Sequence, residues 1–310
     1  MNIKKLIPLL FITAALLICA ACGADGTATE DGAAISFTDM TGKTVNMDSP
    51  ASSVVVLTAA DCEIICALGC GDRLIGRGEY CDYPAEIASV PQVQSGYETN
   101  LEQIIALDPD VLLMSTMDQT PEQVASLESA GIIVVQSNAD DIAGTYESIR
   151  MTGAMLGKDA EAEQLIRQMQ DDFARVAAVA AEVEEKTVYF EVSPLEYGLW
   201  AAGADTFMNE IAEMLGITNI FADVSGWAEV SEEQVISRDP DIIISVGMSF
   251  GDVSPEDEIR TRAGWQNISA VKNGMILNLA HDELTRPGPR LALGAQMLCD
   301  FIYGTDIAAD

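Results

Sequence analysis

Residues 102–113 read Glu-Gln-Ile-Ile-Ala-Leu-Asp-Pro-Asp-Val-Leu-Leu, and residues 233–244 read Glu-Gln-Val-Ile-Ser-Arg-Asp-Pro-Asp-Ile-Ile-Ile. The offset is constant along both segments, so the chain carries one local design twice. Each copy predicts a helix end, a turn set by proline, and a buried apolar strand. Proline stops the helix because it lacks an N–H and its ring clashes with the preceding turn. The aliphatic run that follows is too short for a second helix and rich in strand formers.

More of the chain falls into register with this pair. In the first half, Val54 to Leu57 predicts a strand, and a helix from about Asp61 to Leu68 ends at Gly69. In the second half, Thr187 to Val192 predicts a strand, and a helix from about Phe207 to Leu215 ends at Gly216. Glycine just past a helix accepts the left-handed conformation that closes it. Further strands are expected at Ile132 to Gln136 and Met275 to Leu279. Alternating strands and helices imply parallel sheets covered by helices. The expected fold class is therefore α/β: two parallel-sheet lobes, residues 35–152 and 186–310, joined by one long backbone helix over residues 153–185. The pattern behind that helix runs roughly from Thr152 to Glu185, dominated by Ala, Glu, Gln and Met.

The N-terminus places Lys4 and Lys5 before an apolar run from Leu6 to Ala21. That run is short for a bilayer span and ends in small residues, the pattern of a signal peptide over residues 1–21. Ile18-Cys19-Ala20-Ala21-Cys22-Gly23 resembles a bacterial lipobox, which makes Cys22 the expected acylated residue. Residues 22–34 are rich in Gly, Ala, Thr and acid, too polar to bury a core, and read as a disordered tether. An extracytoplasmic protein held to the membrane by its lipid alone is expected.

Charge narrows the partners. With 49 acidic and 16 basic residues the formal net charge is −33. Nucleic acid phosphates would be repelled, as would anionic lipid headgroups. Cys62, Cys66 and Cys70 fall at four-residue spacing on one helical face and read as core packing. Zinc or manganese would call for several histidines, whereas His281 is the sole histidine, so no resident metal or cofactor is expected. One haem needs only one or two axial ligands, which leaves His281 open to that role. Gly247-Met248-Ser249-Phe250-Gly251 fits a nucleophile elbow after a strand. Loop chemistry (Asp252-Val253-Ser254-Pro255) follows where a helix should start. A serine hydrolase using Ser249 and His281 is thus a remote alternative.

Several segments, in order along the chain, resemble one family of ABC-importer binding proteins, which take up cobalamin, ferric siderophores and haem. They are Phe37-Thr38-Asp39, Tyr80-Cys81-Asp82-Tyr83-Pro84, Asn100-Leu101-Glu102, Trp227-Ala228-Glu229-Val230-Ser231 and Arg286-Pro287-Gly288-Pro289-Arg290-Leu291. The branch this chain most resembles binds vitamin B12. The resemblance implies a non-enzymatic, monomeric receptor that holds a corrinoid between its lobes and delivers it to an ABC permease. A ferric siderophore or haem is the alternative cargo. It implies ligand contacts at Tyr80, Trp200, Trp227, Asp282 and Arg286. Gly96 stands where that branch has a tryptophan, and Tyr97 beside it is the expected substitute; a second tryptophan is lost near Ser115. Permease docking is implied for Glu102 and Glu233, which are also the repeat-matched pair.

Overall fold

The computed structural model describes residues 34–95, 99–115, 120–180, 185–193, 195–246, 253–279 and 282–308. The expected signal peptide, most of the tether, Cys22, Tyr97, Ser249 and His281 lie outside them. Among the described residues no helix is long and apolar enough to cross a membrane.

A hairpin of β1 (Ile35–Thr38) and β2 (Thr44–Met47) opens the folded unit. The first sheet has four strands in the order β4-β3-β5-β6, namely Leu74–Arg77, Val54–Val56, Val111–Ser115 and Ile133–Ser137, all parallel. Its helices are α1 (Ala59–Ala67), α2 (Leu101–Leu107), α3 (Pro121–Ser129) and α4 (Ile142–Leu156). Then come α5 (Asp159–Ala180), β7 (Thr187–Ser193), β8 (Leu199–Ala202), α6 (Phe207–Met214), β9 (Thr218–Asn219) and β10 (Trp227–Val230). The chain closes with α7 (Glu232–Arg238), β11 (Ile242–Ser245), α8 (Pro255–Thr261), α9 (Ser269–Asn273), β12 (Ile276–Asn278) and α10 (Leu291–Tyr303).

The second sheet runs β10-β8-β7-β11-β12, with β9 also on β7. It is mixed where an all-parallel sheet was expected: β8 pairs antiparallel with both β7 and β10. The short connection from β7 to β8 explains this, because a parallel return needs a crossover of a dozen or more residues. β7, β11 and β12 stay parallel.

The repeat has a physical basis at each position. Asn100 and Ser231 are the N-caps of α2 and α7, and their side chains accept from the backbone N–H of Gln103 and Gln234. The helices end at Asp108 and Asp239, both left-handed, with φ of 51° and 44°. The second aspartate of each Asp-Pro-Asp ties down a neighbouring strand. Asp110 accepts from the Ser52 and Ser53 N–H groups at 2.8 and 3.0 Å. Asp241 accepts from the Thr187 N–H at 2.9 Å. Satisfying these otherwise orphaned donors fixes where β3 and β7 begin.

The single long helix expected over 152–185 is two helices. α4 belongs to the first lobe, packing on α1 and β1, and it ends at Gly157, whose φ is +66°. Lys158 then leads into α5, whose 22 residues run about 33 Å at 1.5 Å per residue. α5 packs on α4 at one side and on α10 and α6 at the other, so it is the element shared between the lobes. Residues 153–156 of the expected bridge are therefore the end of α4. One continuous apolar core takes in Val56 and Ile149 of the first half, Phe173 of α5, and Phe190 and Leu298 of the second.

Cys62 and Cys66 lie on α1, but α1 ends at Ala67 and Cys70 falls beyond it, so the three do not share one helix. The five described cysteines are free thiols; Cys66 is half-buried and the others are buried. The neighbouring Cys66 and Cys81 thiols and its own burial push the Cys62 pKa far up.

Candidate functional site

The C-terminal ends of β3, β5 and β6 all open onto one cavity of about 550 Å³. Parallel α/β sheets place ligands there because the loops leaving the strands diverge and leave a crevice. The first lobe contributes Leu57 to Asp61 leading into α1, Ser115 at the end of β5, and Ser137 to Asp140 from the end of β6 onward. Phe207, Trp227 and the stretch from Thr285 to Pro287 come across from the second lobe.

Three of the predicted residues, Tyr80, Trp227 and Arg286, line this cavity together. Tyr80 stands 62% exposed at its mouth. Its loop is held close by Gly78, whose N–H donates to the Val56 carbonyl at 2.7 Å. A Cβ at Gly78 would lie 2.3 Å from the Leu57 carbonyl oxygen, so only glycine lets the loop press against the end of β3. Trp227 packs edge-on against Phe207 with ring centroids 5.4 Å apart, a favourable arrangement of two ring quadrupoles.

Trp200 does not line the cavity. It pairs with Glu229 on β10 while Trp227 pairs with Ala202. Facing residues of an antiparallel pair share a sheet face, so Trp200 and Trp227 stand on the same face, two residues apart along the ladder. Asp282 does not reach the cavity either. It sits at φ +69° and its carboxylate forms an ion pair with Arg286 Nη2 at 2.7 Å, which helps to fix the guanidinium.

Arg286 is the centre of a clamp between the lobes. Its Nη1 donates to Glu63 Oε1 at 2.9 Å and to Asp82 Oδ1 at 2.8 Å, and its Nη2 to the Tyr80 carbonyl at 3.2 Å. Arg290, four residues on at the N-cap of α10, grips the same Glu63 through Nε at 2.9 Å and Nη2 at 2.7 Å. Its guanidinium also lies 4.1 Å from the centre of the Tyr83 ring. Glu63 is only 3% exposed, so its charge is admissible because two cations meet it. At the other side of the cavity the Phe207 N–H donates to the Asp140 carbonyl, and the Ile142 N–H to Glu210 Oε2.

The floor holds a residue that the sequence reading missed. Asp61 is 2% exposed and accepts from the hydroxyls of Thr58, Ser137 and Ser148. Burial raises its pKa, and the three hydroxyls oppose that rise without cancelling it. An acid in the first turn of a helix ordinarily reads as a solvated cap. Two of its three partners arrive from 76 and 87 residues away, so nothing local marks it. Glu102 and Glu233 occupy the same first-turn position of α2 and α7, and both are exposed. The helix N-terminus and the Ser231 hydroxyl hold the Glu233 carboxyl below its usual range.

Comparisons with known proteins show the family to which the chain belongs. A profile of the periplasmic binding protein family matches residues 54–282. An uncharacterised ABC transporter substrate-binding lipoprotein of Bacillus subtilis is 32% identical, over 87% of this chain and 85% of its own. A vitamin B12-binding protein of Salmonella choleraesuis is 28% identical, over 81% of this chain and 90% of its own. The crystal structure of a possible iron-binding, periplasmic solute-binding protein from Staphylococcus epidermidis superposes with a TM-score of 0.69. It is 30% identical and covers 82% of this chain and 100% of that one.

Proposed function

Since this chain belongs to the periplasmic binding protein family, we propose that it captures a corrinoid in the cavity between its lobes and presents it to an ABC permease. It is an ABC transporter substrate-binding protein of the cobalamin, siderophore and haem type, and its relatives are solute binders rather than enzymes. The observation that carries the cargo is the cavity's charge. Its acidic and basic lining residues, among those described, are Asp61, Asp140 and Arg286, and Arg286 is already met by Glu63, Asp82 and Asp282. Among the described residues no spare cation faces the ligand, so catecholates and haem propionates are disfavoured. A corrin plate edged with amide donors suits an acceptor floor at Asp61 and aromatic walls at Tyr80, Phe207 and Trp227. The plate exceeds the cavity, so its outer part rests beyond it, on the aromatic face that Trp200 shares with Trp227; Tyr97, outside the described residues, is a further proposed contact.

Acylation at Cys22 after removal of residues 1–21 tethers the receptor outside the membrane, as a monomer. Glu102 and Glu233 dock on the permease: two exposed carboxylates at matched positions suit a pseudo-symmetric partner and act on orientation and encounter rate. A ferric complex is the second reading, favoured by the name of the Staphylococcus epidermidis structure; the charge argument restricts it to a neutral hydroxamate complex.

Calorimetric titration of the protein from residue 23 onward with cobalamin tests the cargo. One-to-one binding that weakens at least about tenfold in Trp227→Ala is expected, since burying one large aromatic at an anchor is worth about 2 kcal/mol or more. Absence of heat with cobalamin, together with binding of a ferric hydroxamate, would transfer the same cavity to the second reading.

A further inference from the structure

Behind the arginine clamp, on the side away from the cleft, lies a second cavity of about 470 Å³. Its volume falls within the range of small-molecule sites, about 300–1,000 Å³. α1 and the Tyr83-Pro84 turn form one wall, α5 a second, and the start of α10 a third, so both lobes and the shared helix meet there. The walls are mainly apolar, with Tyr83, Leu165, Met169 and Leu293 the largest. Gln296 of α10 lines it as well. That side chain is 5% exposed, and its Nε2 has no hydrogen-bond partner. A buried amide donor left unpaired is costly, and an acceptor placed in the cavity would remove that cost. The charged groups lining it are all met: Glu63 and Arg290 by each other, and Asp172 of α5 by Arg175.

We propose that this cavity is a second binding site, for a neutral, largely apolar molecule carrying one acceptor oxygen, which Gln296 recognises. A neutral ligand fits because each wall charge already has a partner. An acceptor is required because Gln296 offers a donor. The two cavities share the clamp: Glu63 lines the rear one, and its partner Arg286 lines the cleft. A molecule seated against Glu63 and Arg290 therefore bears on the position of Arg286, and linkage makes the effect reciprocal. The site stands independently of which cargo the cleft carries.

The test uses the protein from residue 23 onward, which contains the whole compact unit Ala33–Asp310. Its methionine methyl groups are carbon-13 labelled and Met169 is followed by NMR. Acetanilide, a neutral aryl amide, is the probe, and butylbenzene, of the same heavy-atom count without an acceptor, is its counterpart. Acetanilide is expected to shift the Met169 methyl saturably and to bind about three- to tenfold better than butylbenzene, the worth of one hydrogen bond. Gln296→Met should abolish that preference, and Leu293→Trp and Ala67→Phe, which fill the cavity from opposite walls, should each abolish the shift. In protein labelled with 5-fluorotryptophan, the Trp227 resonance should move with acetanilide. No Met169 shift up to the solubility of acetanilide, or a shift undiminished in both filled variants, would overturn the site. A preference that survives Gln296→Met would overturn the role of Gln296. A Trp227 signal that stays still while Met169 moves would overturn the coupling.

Discussion

Asp61 and the arginine clamp show how differently single residues announce themselves. Arg286 stands in a segment dense with proline, glycine and charge, which is how a functional loop reads; its partner Glu63 sits in an apolar helix and gives no such sign. The sequence could supply the cations and not the anion, because the pairing spans 223 residues. Asp61 is silent for the same reason, yet its burial has a measurable consequence. Its pKa is raised in the folded protein, so above about pH 4, the ordinary aspartate value, the folded state retains a proton that the unfolded chain has released. Stability from this group is therefore full below that pH and is lost as pH rises through the raised value. Asp61→Asn removes the penalty on the ionised form while keeping one acceptor for the hydroxyls. Its melting temperature relative to the unaltered protein should rise between pH 4 and pH 8. A difference constant across that range would show that Asp61 titrates normally.

Among the elements, the helices and strands around the repeat were legible because their signals are local. A cap residue, a proline and a β-branched run each act within a few positions. The α4–α5 junction was not read correctly, because Gly153 and Gly157 looked alike in a strongly helical stretch. Gly153 stays helical, where a Cβ would come within 2.6 Å of the Ala162 Cβ, so α4 and α5 touch there. Gly157 takes φ +66°, and a Cβ would meet Pro50 Cγ at 2.8 Å. Gly157→Ala would thus incur left-handed strain and a clash together. It should destabilise the protein by more than about 1 kcal/mol in urea unfolding. Instead, a gain in stability would mean that the two helices can merge into the single rod the composition suggests. The antiparallel β8 was equally hidden, since the length of its connection to β7 depends on where each strand stops.

For the molecule as a whole, two fastenings flank the cleft: the Glu63–Arg286–Arg290 clamp on one side, and the hydrogen bonds from Phe207 and Ile142 on the other. α5 and a continuous core lie behind them. Hinge closure needs a few residues free to absorb backbone rotation, and this frame ties the lobes together at several points. Solution scattering should give nearly superimposable profiles with and without saturating cargo; marked compaction would show that the clamp opens. The clamp also bears on how the chain is made. Arg286 and Arg290 leave the ribosome 223 and 227 residues after Glu63. At about 5–20 residues per second that is a delay of roughly ten to forty-five seconds. During it, the first half holds a carboxylate destined for the interior and no cation to meet it. Water keeps that carboxylate until the last stretch of polypeptide emerges. The first lobe is therefore completed from the tail, and a chain cut short before Arg286 lacks the finish of its beginning as well as its end.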